Sequence, residues 1–417
     1  MSESRARRFL LDALDLIGTY LHGESVTLGE VSVGASGEAA QPGLEAFLAE
    51  LEARHAIACA ARLRPVISAI EGRTSSTTVH RREESLGAIR GRLDVPRYIA
   101  RRTRNVSLPR SYPVQTLRRT PETPENALAV IAIEGVTRQL AFAPFPIRTA
   151  EGTAAAAEFA QLRSRLKRQP WTAVRRRDTP ARLLREVAGR LSRRQTGNDA
   201  AYEALMTWYA EWSVDPRALG EEGTARVAEG LLAFPTTDAF WERVFEIWCL
   251  REVAAALARQ GFATVDGPRS LRKRSQGPIY TLASGSEIGE VWFQRQKPMG
   301  SPRWQYVSGG PFTGIPDIVV TSNNRSPLVI DAKYRSMTTD TRSEESYKML
   351  GYAENFREAT TETGFAGLLL FPGPTTRSTE LIGPDGGHLS LIAVEPISER
   401  PEAETALDAA FVAWLRT

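Results

Sequence analysis

The chain has 417 residues, 42% of them hydrophobic and 24% charged, with a formal net charge of +4. That length predicts two or three domains with ample core. The composition excludes a disordered chain, and with no apolar run of ~18 residues a membrane span is not expected.

The N-terminus, MSESRARRFLLDALDLIGTYL, is too charged through its apolar part for a secretory signal. Cys59 and Cys249 lack a partner pattern, which predicts a reducing cytoplasm. His22, His55, His80 and His388 are scattered, which argues against a zinc site or a His-based triad. No Gly-Lys dipeptide occurs, so the chain has no Walker A loop and cannot run a P-loop motor by itself.

Residues 1–110 are expected to form a mixed N-terminal domain, either partner-docking or DNA-reading. An amphipathic helix near Arg5–Leu21 opens it, and a longer one near Leu44–Glu71 ends at Gly72. β-like runs surround RGRLDVPRYIARRT, residues 90–103. Pro109, Pro113, Pro121 and Pro124 make the following stretch an extended connector. Residues 111–235 read as a basic, mostly helical middle domain. A helix starts at Pro124-Glu125-Asn126, and Glu151–Gln169, Pro180–Gln195, Asp199–Trp212 and Pro216–Ala233 follow, with prolines at the starts. Residues 236–417 read as helix, several strands, helix, strand, strand, helix. The class is α/β (α+β overall).

Charge is uneven along the chain. Residues 161–194 carry twelve Arg or Lys against Asp178 and Glu186, and residues 80–119 carry eleven Arg against three acids. Such segments are candidate phosphate-backbone contacts, giving salt-sensitive and sequence-independent affinity. Arg175, Arg176 and Arg177 are the candidate nucleic-acid contacts of the first run. A solvated helix face is the bland alternative.

The most informative stretch is Gly314–Arg335, GIPDIVVTSNNRSPLVIDAKYR. Two β-like runs, Ile315–Thr321 and Leu328–Tyr334, flank a turn cluster. With the turn near Asn324, Asp317 folds back opposite Asp331. Strand alternation then puts Asp331 and Lys333 on one face. Two carboxylates and a lysine at one strand end can hold a hard divalent cation and orient a water beside it. Of 53 basic residues only Lys167, Lys273, Lys297, Lys333 and Lys348 are lysine. A lysine kept against that bias points to a need for a compact charge, which the Arg fork cannot meet.

Glu246 lies within the apolar stripe of the helix Thr237–Gln260. It reads either as a third carboxylate at the metal or as an edge residue paired with Arg243 or Arg251. Glu287 and Glu290 are rivals for that third place. In the helix Ser343–Glu358, Lys348 and Tyr352 are four apart and share a face.

Pro316-Asp317 followed by Asp331-Ala332-Lys333 resembles the PD-(D/E)xK nuclease motif. FEIWCL, PDIVV, DAKYR and YKMLGYAENF, in this order, resemble the McrC-like nuclease subunits of restriction and defence systems. Lys348 and Tyr352 resemble the family's Q-x-x-x-Y element, with Lys in place of Gln. IRGRLDVPRYIARR followed by TPENAL resembles the upstream domain of the wider group. Together these span roughly residues 80–360.

The resemblance implies a restriction-endonuclease-like core, a mixed sheet flanked by helices, in residues 236–417. It implies Mg²⁺ (or Mn²⁺) held by Asp317 and Asp331, helped by Glu246 and the Ala332 carbonyl, with Lys333 positioning a water. It further implies cleavage of DNA, with Lys348 and Tyr352 near the phosphates, and a separately encoded AAA+ NTPase as partner. A connector that binds DNA and regulates that NTPase without cleaving is the alternative, and an RNA-directed nuclease is a third.

Overall fold

The computed structural model describes residues 3–21, 42–104, 110–175, 178–214, 219–271, 277–295, 303–307, 314–323, 325–337, 339–356, 365–373, 378–383, 386–396 and 406–416. The chain is mixed α/β, with eleven α-helices and a large mixed sheet among the described residues. It divides into two compact units, Ala53–Trp212 and Met1–Glu52 with Ser213–Thr417.

The unit Ala53–Trp212 begins within α2 (Pro42–Gly72). It continues through β1 (Thr77–Leu86), β2 (Arg92–Leu93), α3 (Val95–Arg104), β3 (Ser111–Thr120), α4 (Pro124–Ala141), α5 (Ala150–Leu166), α6 (Pro180–Ser192) and α7 (Asp199–Ser213). The strands form an antiparallel sheet in the order β1-β3-β2. The TPEN sequence explains how α4 starts. Thr123 caps the helix by accepting the Asn126 N–H, and Pro124 occupies the first turn, where its missing N–H costs nothing. Glu125 is fully buried and is held by Arg190 at 2.9 Å. Asn126 Nδ2 donates to the carbonyls of Ser75 and Pro121, and its Oδ1 accepts the Tyr202 hydroxyl. A buried acid and a buried amide are thus both satisfied, as their burial requires.

Strands do surround the stretch 90–103: β1 precedes it and β3 follows it, while the stretch itself holds β2 and most of α3. Asp94 sits at the start of α3, where the Tyr98 N–H bonds to the Asp94 carbonyl at 2.9 Å. One local expectation fails in this unit. The proline-rich connector is largely β3, paired with β1 from Thr77↔Thr120 to Leu86↔Ser111. Only Pro113 interrupts its donors, opposite Glu84.

The other unit holds α1 (Glu3–Leu21), the start of α2, α8 (Glu221–Leu231), α9 (Asp238–Arg259), β4 (Ala263–Asp266), β5 (Tyr280–Ser284), β6 (Glu287–Phe293), β7 (Ile318–Ser322), β8 (Arg325–Ala332), α10 (Thr339–Asn355), β9 (Ala366–Pro372), β10 (Ser378–Ile382), β11 (His388–Val394) and α11 (Ala406–Arg416). After α10 there are therefore three strands, one more than expected. The sheet runs β10-β11-β9-β8-β7-β6-β5-β4. From β4 to β8 each neighbour is antiparallel, whereas β8, β9 and β11 are mutually parallel. A parallel neighbour requires a crossover, and α10 provides it between β8 and β9.

Strand alternation sorts the sheet's side chains between two cores. Ile318, Val320, Leu328, Ile330 and Ala332 join α1, α9 and α11 on one face. Val319 and Val329 join Met349, Tyr352 and Phe356 of the α10 side on the other. The division at residue 110 expected from the sequence is not the division by compactness. Phe9, Leu10, Ile17, Leu44 and Leu48 are buried among the residues of α9 and the large sheet. Phe9 packs edge-on against Trp248 at 4.6 Å.

Candidate active site

The β7–β8 pairing sets Ile318 opposite Ile330, so the register continues with Asp317 opposite Asp331. Alternation from Val319 and Val329 puts both carboxylates on the α10 side of the sheet. Both are buried, Asp331 completely. Asp317 Oδ2 accepts the Ala332 backbone N–H at 2.9 Å. An extended residue sends its N–H and C=O to the same side, so Ala332 turns its carbonyl that way too. Lys333 Nζ lies 2.6 Å from Asp331 Oδ2 and 3.9 Å from Asp317 Oδ2. Lys348 rises from α10 to place its Nζ 3.1 Å from the same Asp331 oxygen. Its neighbour Tyr352 is buried and donates its hydroxyl to the Ile315 carbonyl at 3.2 Å, bracing the chain just before Asp317.

Glu246 comes to this group from the opposite face of the sheet. Its carboxylate accepts from Arg243 Nη1 at 2.7 Å and from Gln294 Nε2 at 3.0 Å. It is close enough to Lys333 and Asp331 for their charges to act on it. Glu246 is thus paired with Arg243, as one reading expects, and it also faces the cluster. Arg251, the other suggested partner, pairs with Asp15 instead. Glu287 is tied to Arg325 and Ser322 at the turn end of the hairpin, and Glu290 to Trp292, so neither rival joins the cluster.

The electrostatics divide the two aspartates. Burial, with the Asp331 and Glu246 carboxylates next, raises Asp317 well above the ordinary carboxylate range. Burial also pushes Asp331 up, but Lys333 and Lys348 outweigh it and hold Asp331 low. Burial and the nearby carboxylates keep Glu246 raised despite Arg243. Burial lowers Lys333 and Lys348, but the two aspartates overcome it, so both stay protonated. The Tyr352 hydroxyl is raised by burial and then by Asp331, so it remains a donor.

Oxygen ligands crowded in a dry site fit a hard cation. A carboxyl whose pKa is raised by burial and by neighbouring carboxylates is a group that such a cation would ionise. The set consists of Asp317, Asp331 and the Ala332 carbonyl. Among the described residues no group of three or more His, Cys, Asp or Glu is arranged to hold a metal, and Glu246 is engaged by Arg243 and Gln294.

Two residues escaped the sequence reading. Glu345 is buried on α10, pairs with Arg335, and lies 3.9 Å from Lys333 Nζ. Gln294 has a left-handed backbone (φ 48) and donates to Glu246 from the end of β6. Their signal was weak: Glu345 shares its helix with Lys348, and Gln294 ends the VWFQ strand. Arg175 is exposed and pairs with Glu122 at 3.2 Å, while Arg176 and Arg177 lie outside the described residues.

No protein-family model and no curated protein sequence matches the chain. Among solved structures, it is similar to the refined half-complex from a tetradecameric assembly of Thermococcus gammatolerans McrB AAA+ hexamers with bound McrC. Identity is 12%, the TM-score is 0.28, and the match covers 86% of this chain. This chain spans only 66% of that one. The likeness is too slight to carry fold or activity across. No described helix is long and apolar enough to cross a membrane.

Proposed function

We propose that the chain is a metal-dependent DNA endonuclease. The observation that carries the reading is the convergence of Asp317, Asp331 and Lys333 at one end of the β7–β8 hairpin, two buried carboxylates with an ammonium 2.6 Å from one of them. Asp317, Asp331 and the Ala332 carbonyl would hold Mg²⁺ or Mn²⁺. Such an ion supplies Lewis-acid stabilisation of the phosphate and lowers the pKa of a bound water. Lys333 orients that water and offsets charge building on the phosphate. Lys348, half-exposed above Asp331, meets the phosphate from the solvent side. Tyr352 holds the Ile315 loop in place, and Glu246 keeps the far side of the cluster negative. The test is nicking of plasmid DNA by the full chain with and without Mg²⁺ or Mn²⁺, beside Asp331→Ala.

A second reading has its own observation. Two lysines already pair with Asp331, and no group of three or more His, Cys, Asp or Glu among the described residues is arranged to hold a metal ion. A site sealed by ion pairs would suit a nuclease-like connector that binds DNA without cutting it. Failure of the wild-type chain to nick under either ion, with DNA binding intact, selects that reading. Coupling to a separate AAA+ NTPase in a restriction or defence assembly rests on the sequence resemblance and the missing Walker loop. Co-purification with an adjacently encoded NTPase tests it.

A further inference from the structure

The unit that carries the carboxylates also holds a cavity of about 750 Å³ where β8, β9 and β11 end, lined by Tyr334, Pro372 and Ala393. The crevice outside the carboxyl ends of parallel strands is a common ligand site in α/β sheets. Two aromatic rings stand in its wall: Trp241, from α9, and Tyr334, just past Lys333. Both are only partly buried, and both are braced from behind. Tyr334 leans on Phe245 at 5.9 Å, and Trp241 meets Phe240 edge-on at 5.3 Å. The Trp241 indole N–H donates to Thr236 Oγ1 at 3.0 Å, which fixes the ring's rotation. Asp238 and Glu242, both exposed, bring carboxylates to the same space, and Arg335 brings a guanidinium.

This mixture narrows the occupant. A wholly apolar ligand would leave the Asp238 and Glu242 carboxylates without a donor, whereas Arg335 already pairs with Glu344 and Glu345. A bare anion would face Asp238 and Glu242. A nucleobase satisfies both demands, with a π-face for the rings and ring-edge amines for the carboxylates. The cavity is also linked to the carboxylate cluster. Arg335 pairs with Glu345, and Glu345 reaches Lys333. Tyr334 in the cavity wall directly follows Lys333, so the cavity and the carboxylate cluster adjoin at the end of β8.

We propose that the cavity receives one unstacked base of the DNA strand held at Asp331 and Lys333. It prefers adenine or cytosine, whose exocyclic amines donate to Asp238 or Glu242. The proposal rests on the reading of that cluster as a DNA site.

The experiment measures binding of single-stranded 8-mers to the full chain without divalent cation, so that no cutting intervenes. The probes are oligo(dC), oligo(dT) and an abasic strand of equal length. Oligo(dC) should bind roughly five- to 150-fold tighter than the abasic strand, the range for one stacked base, with oligo(dT) between them. Trp241→Ala should bring oligo(dC) and the abasic strand within about twofold while the salt slope stays unchanged. Glu242→Gln touches only an exposed side chain, and it should erase the preference for dC over dT alone. Lys333→Ala should leave both preferences in place. Equal binding of oligo(dC) and the abasic strand by the wild type overturns the proposal, as do preferences that survive both cavity variants. Base preference without Mg²⁺- or Mn²⁺-dependent nicking would leave the cavity standing and remove the nuclease reading. Nicking without base preference would do the reverse.

Discussion

Asp317 reaches across its hairpin to take the Ala332 backbone N–H at 2.9 Å, tying the start of β7 to the end of β8. One bond thus fixes both the hairpin end and the rotation of a buried carboxylate, and the two roles can be separated. Asp317→Asn keeps an acceptor for Ala332 and removes the ability to ionise, so the fold should survive while metal-dependent nicking falls at least 100-fold. Asp331→Ala should abolish nicking and leave DNA binding in place. Purified variants compared by melting temperature, nicking rate and DNA affinity give the answer. Wild-type cutting by Asp331→Ala would show that the site is wrongly placed.

The shift at Asp317 sets a pH dependence. Its folded pKa is raised, chiefly by burial and then by Asp331. Below about 4, the ordinary carboxylate value, the group is protonated folded or unfolded. Between that value and the raised one, the unfolded chain sheds the proton and the folded chain keeps it, so this group's contribution to stability falls as pH rises. Asp331 is shifted down, and its contribution is lost only as pH falls through its low folded value. A cation needs Asp317 ionised. Nicking should therefore climb about tenfold per pH unit above pH 4 and level off once Asp317 has titrated. The stabilisation of melting temperature by Mn²⁺ should climb with it. The break point belongs to the coupled pair. A flat profile of both quantities from pH 5 to 8 would contradict the assignment.

The two lysines on Asp331 should separate by kinetics. Lys333 is mostly buried beside both aspartates, whereas Lys348 is half-exposed on α10. Lys333→Ala should lower kcat by about 10²–10³, the usual cost of one preorganised charge, with DNA affinity little changed. Lys333→Arg should not rescue it, because a planar fork does not fit a 2.6 Å point contact. Lys348→Ala should act mainly on KM. Equal effects of the two changes on kcat would mean that they form one structural ion-pair network.

The hairpin was legible because it is local. A polar turn between two apolar runs, with alternation of period two, sets Asp317 against Asp331 from residues 317–333 alone. Helix ends were legible where chemistry marks them, as at Thr123-Pro124 and Thr237. What stayed hidden depends on partners far along the chain. Glu345 matters because Arg335 and Lys333 meet it, and Gln294 because Glu246 lies 48 residues away. The burial of α1 beside α9 leaves no trace in either segment beyond an apolar face, which any partner would satisfy.

The run Arg175–Arg177 tests whether charge outside the carboxylate unit holds DNA. Arg175 is exposed and, among the described residues, pairs with Glu122, an exposed pair worth at most about 1 kcal/mol, so a phosphate can displace it. Charge reversal at Arg175, Arg176 and Arg177 should weaken binding equally across sequences. It should also reduce the slope of log affinity against log salt by roughly one unit per lost contact. An unchanged slope would mark the run as a solvated face.

The burial of residues 1–52 changes what a truncation can report. Among the side chains of this stretch in the core that α9 and the large sheet share, six are Phe9, Leu10, Leu14, Leu16, Ile17 and Leu48. At about 1.5–3 kcal/mol each for full burial, removing them forfeits roughly 9–18 kcal/mol. That matches or exceeds the whole stability of an ordinary domain, about 5–15 kcal/mol. Residues 236–417 alone should therefore be insoluble or molten. A chain keeping 1–52 joined by a flexible linker to 213–417 should melt cooperatively, as should residues 53–212 by themselves. Circular dichroism melts of the three pieces decide the matter. Partner docking by the front of the chain is then tested with surface substitutions on α3 and β1, which have few buried residues, rather than by deletion. A soluble, cooperatively melting 236–417 fragment would show that the packing of Phe9 against Trp248 is dispensable, and the boundary at residue 235 would be restored.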